Sequence, residues 1–229
     1  MKRFVYIFFL ILSLTCGVLN AQSQTDIKGI INKYVKVTTV VNALSVNVSS
    51  SIDFAQGDTV MIVQMKGAKY SSDDPNVIDD PVNMGKYELT VVNTVSGNTI
   101  TFNSPLKNTY NAQESVQLIR VPAFNHAKVV EELTSAAWDG EKGGVLVVIA
   151  SGSLELIADI NVTGKGFRGG TPVTAVTGKC FATNPIPFNT YNILAIHSDS
   201  TSGKKGEGAI SNSFWFYIWE GTAGNSGGA

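Results

Sequence analysis

Apolar residues through the middle of the chain recur with a period near two, the spacing that sends successive side chains to opposite faces of a strand. Tyr34 to Val48 reads this way, with Val35, Val37, Val41 and Ala43 followed, after a shift of face, by Leu44, Val46 and Val48. Thr59 to Met65 (TVMIVQM) is denser and is entered through the turn residues Gln56-Gly57-Asp58. Tyr87 to Val95 and Thr99 to Asn103 flank Ser96-Gly97-Asn98, a hairpin signal, and Ser115 to Val121 closes the set before Pro122. Five strands with little helical periodicity predict a small antiparallel β-barrel or sandwich, assigned to a domain spanning 22–125.

The pattern then changes. Ala127 to Ala137 is ambiguous between helix and strand, and Trp138-Asp139-Gly140 with Gly143-Gly144 reads as a turn. Val145 to Ala150 and Leu154 to Thr163 read as two strands separated by Ser151-Gly152-Ser153, with Leu154, Leu156, Ala158, Ile160 and Val162 on one face. Glycine marks the same change: 16 of the 22 lie from Gly140 onward. Strands punctuated by glycine, with no room for covering helices, predict the start of a β-solenoid over 126–220, with a β-sandwich as the alternative. Residues 221–229 form a glycine-rich end, expected to be truncated. The fold class expected is therefore mainly β.

The amino terminus carries a different signal. Lys2 and Arg3 precede the unbroken apolar run Phe4 to Leu12, and Ser13 to Leu19 weakens that run before Asn20-Ala21. A basic start, a short apolar run and a small residue predict a secretory signal peptide over 1–21, cleaved after Ala21 by way of the Sec translocon. A membrane anchor would need a longer run than one broken at Ser13, Thr15 and Gly17. A lipoprotein would use Cys16, but Leu14-Thr15 supplies no small residue directly before it. If Cys16 leaves with the leader, Cys180 is the one remaining thiol, so no internal disulfide can form and the core alone must hold the fold. A formal net charge of −1 with 15% charged residues gives no electrostatic footprint for nucleic acid.

Candidate chemistry is sparse. Asp73-Asp74-Pro75-Asn76 and Asp79-Asp80-Pro81 cluster carboxylates on an insertion, where oxygen ligands could hold Ca²⁺, but the spacing fits no known calcium loop. Gly164 to Gly170 (GKGFRGG) satisfies G-x-G-x-x-G formally. It is followed by Thr171-Pro172, with no acidic residue about 20 positions on, so no cofactor site is expected. Gly224-Asn225-Ser226-Gly227-Gly228 is like a protease nucleophile segment with Asn in place of Asp, and neither His126 nor His197 has the matching context. Glu131, Glu132, Asp139 and Glu155 are too commonplace to mark a glycosidase. The aromatic run Phe214 to Trp219 (FWFYIW) must be buried or partnered. No catalytic, cofactor or metal residues are therefore assigned.

Several phrases in fixed order carry a resemblance: NALSVNVSSSIDFAQGDTVMIVQMKGA, YELTVVNTVSGNTITFNSPLKNTY, VQLIRVP, WDGEKGGVLVVIASGSLEL, DINVTGKGFRGG and KKGEGAI. Over about residues 42 to 210 the chain resembles the N-terminal region of large surface proteins exported by the type IX secretion system, often described as gliding-motility-associated or adhesin-like. The resemblance implies an exported, cell-surface or matrix-associated structural or adhesion module without catalytic activity. Its partners would be the type IX machinery, if the full-length chain has a sorting domain, and surface glycans or other surface proteins. Without a sorting domain the location would be periplasmic. Bacteria using that route can O-glycosylate Asp-Ser/Thr sites, which makes Ser200 and Thr59 candidates, Ser200 the better one. Two alternatives stand beside this reading. One is a carbohydrate-binding module stacking sugars on Trp138, Phe167, Trp215 and Trp219; the other is a fragment of a parallel β-helix lyase or hydrolase.

Overall fold

The computed structural model describes residues 24–70, 78–80, 83–169 and 207–209. The chain is mainly β. Strands β1 (Thr25–Ile30), β2 (Lys33–Asn42), β3 (Ser45–Val48) and β4 (Thr59–Gln64) come first. The short pair β5 (Lys69–Tyr70) and β6 (Ile78–Asp80) follows, then β7 (Tyr87–Ser96) and β8 (Thr99–Phe102). A 3₁₀ turn at Ala112–Glu114 leads to β9 (Val116–Arg120), and β10 (Ala123–Thr134) and β11 (Ile149–Leu156) complete the set.

Six strands close into a barrel in the order β2-β3-β8-β7-β4-β9, every pairing antiparallel. Sequence predicted five strands because Tyr34 to Val48 reads as one run. In the structure that run is a hairpin, and the shift of face is its turn: Asn42 Oδ1 accepts the Leu44 N–H at 2.7 Å and bends the chain at Ala43-Leu44. A six-stranded barrel is too narrow for a lumen, and side chains fill it. Val35, Val37, Val46, Val60, Ile62, Val92, Ile100, Phe102, Val116 and Leu118 are all buried inside.

The other sheet is parallel, ordered β1-β10-β11. Strand β1 precedes the barrel in sequence yet pairs with β10 beyond it, Gln24 donating to the Ala127 carbonyl 103 residues on. The barrel is thus an excursion between the first and second strands of a stacked sheet. The next step is much shorter, for His126 meets Ser153 and Thr134 meets Asn161, each 27 residues apart. A parallel bridge from Leu133 to Ile160 continues the stack. This is the start of a solenoid, with Ile27, Ala127, Val129 and Leu133 as its core.

The ambiguous segment after Pro122 is strand. The two strands expected at Val145 to Ala150 and Leu154 to Thr163 are instead one, β11, which runs through Ser151-Gly152-Ser153 without turning. Gly152 lies against β10, where an added Cβ would sit 2.3 Å from His126 Cε1 and 2.8 Å from the Asn125 carbonyl oxygen. The glycine therefore serves close approach rather than a turn. The single apolar face expected for Leu154 to Val162 also divides. Leu154 and Ala158 pack on the solenoid core, whereas Leu156, Ile160 and Val162 are exposed.

Candidate functional site

Barrel and sheet meet along residues 145–149, whose side chains alternate between two cores. Val145, Val147 and Ile149 pack on Met61, Val63, Ile119 and Val121 of the outer barrel wall, while Leu146 and Val148 face the solenoid core. This explains the density of Thr59 to Met65, since β4 is buried on both faces: Val60 and Ile62 inward, Met61 and Val63 outward.

Residues 143–148 belong to no strand, so their backbone groups need other partners. Two buried amides supply them. Asn32 Nδ2 donates to the carbonyls of Val147 (2.7 Å) and Arg120 (3.1 Å), and its Oδ1 accepts the Val147 N–H at 3.0 Å. Gln117 Nε2 donates to the Gly143 carbonyl at 3.0 Å and Oε1 accepts the Gly143 N–H at 2.8 Å. A third, Gln64, ties the barrel rim, donating to the Lys66 carbonyl and accepting from the Asn111 N–H. Tyr34 adds a hydroxyl bond to the Val145 carbonyl at 2.6 Å, and burial pushes its phenol up to about 12. Sequence reading passes over all four residues; the available signal is a polar side chain in an apolar strand run, Gln64 on the inward face of β4 and Gln117 on the outward face of β9, while Asn32 lies between strands and gives none.

One end of the seam is an aromatic and ionic knot. Trp138 is 3% exposed, its ring meeting Phe167 edge-on at 5.3 Å between centroids. Lys66 Nζ lies 5.8 Å from the Trp138 centroid and 5.7 Å from that of Phe167. Arg168 clasps Glu207 through Nε (3.0 Å) and Nη2 (2.6 Å), and that hydrogen bonding holds the Glu207 carboxyl below its ordinary range. The Gly67 N–H donates to the Ala209 carbonyl at 2.9 Å, fixing the same short segment to the barrel rim. Asp139 closes the adjacent turn by accepting the N–H groups of Glu141 and Lys142. Burial pushes its pKa up, but those bonds outweigh it and the carboxyl sits lower than usual.

These contacts correct the stacking assignment at Trp138 alone. Trp138 has no open ring face for a sugar, because Phe167 and Lys66 occupy its surroundings and the residue is a packing element. Trp215, Trp219, Ser200, Cys180, His197, Ala21 and the glycine-rich end lie outside the described residues, as does most of the Asp73 to Asp80 insertion. Thr59 opens β4, half-buried, with its carbonyl accepting the Val121 N–H. Gly164, Gly166 and Gly169 lie in a loop, and the residues that follow Gly169 lie outside the described residues.

The carboxylates singled out in sequence are separately engaged. Glu131 pairs with Lys28 at 2.6 Å, Glu132 accepts from Asn161, and Glu155 lies 3.9 Å from Lys128. His126 Nδ1 and Ser153 Oγ are 2.8 Å apart, a contact between neighbouring strands of the sheet that sequence separation concealed. Beside the knot, a shallow cleft of about 390 Å³ lies between β2 and the turn at Gly140-Glu141, lined by Lys36, Thr38, Gln113, Ser115 and Glu141. Lys36 and Glu141 bridge it at 2.5 Å. Ser115 has φ 54°, a left-handed conformation uncommon for serine.

No protein-family model and no curated protein matches the chain. Among solved structures, the chain is similar to the Gp54 tailspike of Acinetobacter baumannii bacteriophage AP22, solved in complex with A. baumannii capsular saccharide. Identity there is 19%, over 56% of this chain and 21% of that one, with a TM-score of 0.34. It is also similar to the tailspike gp49 from Pseudomonas phage LKA1 (18% identity, 49% and 19% covered, TM-score 0.29). A third is the Pseudomonas phage phi297 tailspike gp61 (16%, 48% and 22%, TM-score 0.29). The chain spans about a fifth of the length of each.

Proposed function

We propose that the chain is a structural or adhesion module of an exported surface protein. The observation that supports this best is architectural: a barrel filled by its own side chains is spliced into a stacked sheet and fixed there by buried amides. That arrangement spends its polar chemistry on joining two β units and displays a broad surface. The basic, then apolar, amino terminus supports export, and the resemblance of its ordered phrases to those of type IX surface proteins supports a surface location. Cell fractionation combined with deletion of the gene tests the reading. Surface or extracellular protein and impaired attachment or spreading are expected; a cytoplasmic location, or wild-type attachment and spreading, would overturn it.

A second reading, glycan binding, is favoured by the seam cleft. It gathers hydroxyls, an amide and both signs of charge in a volume within the range of small-ligand sites. Glycan-array binding that weakens in Gln113→Ala and Lys36→Ala would support it. No binding, or binding indifferent to both changes, would remove it.

A further inference from the structure

Three elements shape the seam cleft, two of them walls fixed to the barrel by buried amides. Its floor is the outward face of β2, where Lys36 and Thr38 alternate with the buried Val35 and Val37. One wall is the 3₁₀ turn Ala112–Glu114. Asn111 caps that turn by accepting the Gln113 N–H at 3.1 Å, and its own N–H donates to Gln64 Oε1 at 2.9 Å. The opposite wall is the turn at Gly140-Glu141, closed by Asp139 and followed by Gly143, whose N–H and carbonyl are both bonded to Gln117. Gln64 and Gln117 are fully buried, so neither amide has an alternative partner in solvent. A cleft held in this way need not be ordered by its ligand. Ser115 ends the 3₁₀ turn in the left-handed region, φ 54°, where glycine would sit without steric cost. The position nonetheless carries a hydroxyl, and it lines the cleft.

The polar groups of the cleft define what it can recognise. Lys36 Nζ and Glu141 Oε1 are 2.5 Å apart, and both side chains remain partly open to solvent. The ammonium has further N–H donors beyond that bond, and the carboxylate has further lone pairs. A donor and an acceptor therefore stand side by side with their charges cancelled. A hydroxyl both donates and accepts, so two adjacent hydroxyls match such a pair, one accepting from the ammonium and the other donating to the carboxylate. An anionic ligand would instead meet Glu141, and a cation would meet Lys36. The rest of the polar lining, Thr38, Gln113 and Ser115, is uncharged, with Thr38 Oγ1 already donating to the Asn47 carbonyl and so left to accept. Among the described residues the lining holds no aromatic ring, so recognition falls to hydrogen bonds and not to stacking.

We propose that the cleft takes an uncharged saccharide, gripped by a vicinal pair of hydroxyls across Lys36 and Glu141. The proposal rests on the glycan-binding reading of the cleft and narrows it: the ligand class is a neutral hexose unit, and the ion pair is what reads it. Gln113 and Ser115 on the adjoining wall supply the neutral donors and acceptors for its remaining hydroxyls.

Chemical-shift titration of the full chain tests both levels, with the methyl glycosides of glucose, galactose and mannose as probes and glucuronate and galacturonate as their charged counterparts. At least one methyl glycoside is expected to shift the backbone amides of Lys36, Thr38, Gln113, Ser115 and Glu141, and each uronate to bind at least about 10-fold more weakly than that glycoside. Lys36→Met and Glu141→Gln should each weaken the neutral sugar at least about 10-fold, the loss of a hydrogen bond to a charged group. Both variants should melt as the unaltered chain does, because the pair is solvent-exposed. Deoxy glycosides should identify the two adjacent hydroxyls that are gripped. A uronate that binds as tightly as the neutral sugars, binding indifferent to both substitutions, or equal binding of every deoxy analogue would each overturn the proposal and leave the glycan reading standing. No shift at these amides with any of the sugars would overturn the glycan reading of the cleft and the proposal with it.

Discussion

The barrel and the stacked sheet solve the same problem in opposite ways. Both must satisfy the backbone groups of strands and bury one face of each. The barrel closes on itself, so every one of its six strands has two partners and no edge is left open. The sheet satisfies its strands by adding another, and its last described strand ends on the exposed Leu156. Closure ends a structure, whereas stacking postpones the end; a chain that combines them has a finished unit and an extensible one. The joint is the segment 145–149, which belongs to both cores and to neither ladder until Ile149 enters β11.

If closure makes the barrel the stable partner, removing its packing should have the largest effect. Leu118 is fully buried at the barrel centre, and Leu118→Ala is expected to cost about 2–5 kcal/mol in denaturant unfolding. Exchange protection should then fall in β2, β4 and β9 before it falls in β10. Simultaneous loss in both regions would show that the barrel has no separate stability.

Next in size is the joint. Asn32→Ala removes three hydrogen bonds and leaves the Val147 N–H and carbonyl unpaired near the seam, an expected cost of about 1–3 kcal/mol. The informative result is the shape of the transition. The intact chain should unfold in one step and Asn32→Ala in two, as barrel and sheet come apart. A single unbroken transition in the variant would mean that apolar packing at Met61, Ile119 and Val147 is enough to couple them.

A substitution confined to the sheet sharpens the contrast. Gly152→Ala places a methyl against His126 and the Asn125 carbonyl, pressing β10 and β11 apart at an expected cost of about 1–3 kcal/mol. His126→Ala in the same chain should recover part of that loss, because the nearest obstruction is the imidazole. No recovery would assign the strain to the backbone contact alone. Barrel amides should be indifferent to either change.

The two regions were also unequally legible. Barrel strands announce themselves through local alternation and a Ser96-Gly97-Asn98 turn, and the hairpin β7–β8 lies where the sequence places it. Closure was not legible, because β2 pairs with β9, Lys33 opposite Arg120, across most of the domain. In the sheet, β1 gives almost no signal: its partner lies 103 residues away and only Ile27 of its six residues is fully buried. A glycine serving close strand approach and one serving a turn leave the same letter, so Gly152 reads in sequence as a break between strands. Composition does not distinguish an exposed indole from one packed against Phe167, so the sequence offers Trp138 as a stacking platform.

The smallest expected effect lies where the chain comes back to the barrel rim. Arg168 holds the Glu207 carboxyl below its ordinary range, with Lys66 at 3.9 Å adding to the same direction. A carboxyl depressed in the folded state stabilises that state at pH values above the ordinary carboxylate range, and the contribution is lost as pH falls through the folded value. The Arg168 side chain is 57% exposed, so solvent and salt screen most of the interaction, and the effect should fall below that of Gly152→Ala. Glu207→Gln is therefore expected to melt slightly below the unaltered chain at pH 6, with the gap narrowing as pH falls below the ordinary carboxylate range and also in high salt. A gap indifferent to pH would assign the difference to side-chain packing and not to charge, and would leave the return of the chain held by backbone pairing such as the Glu207 N–H on the Arg168 carbonyl, which the substitution keeps.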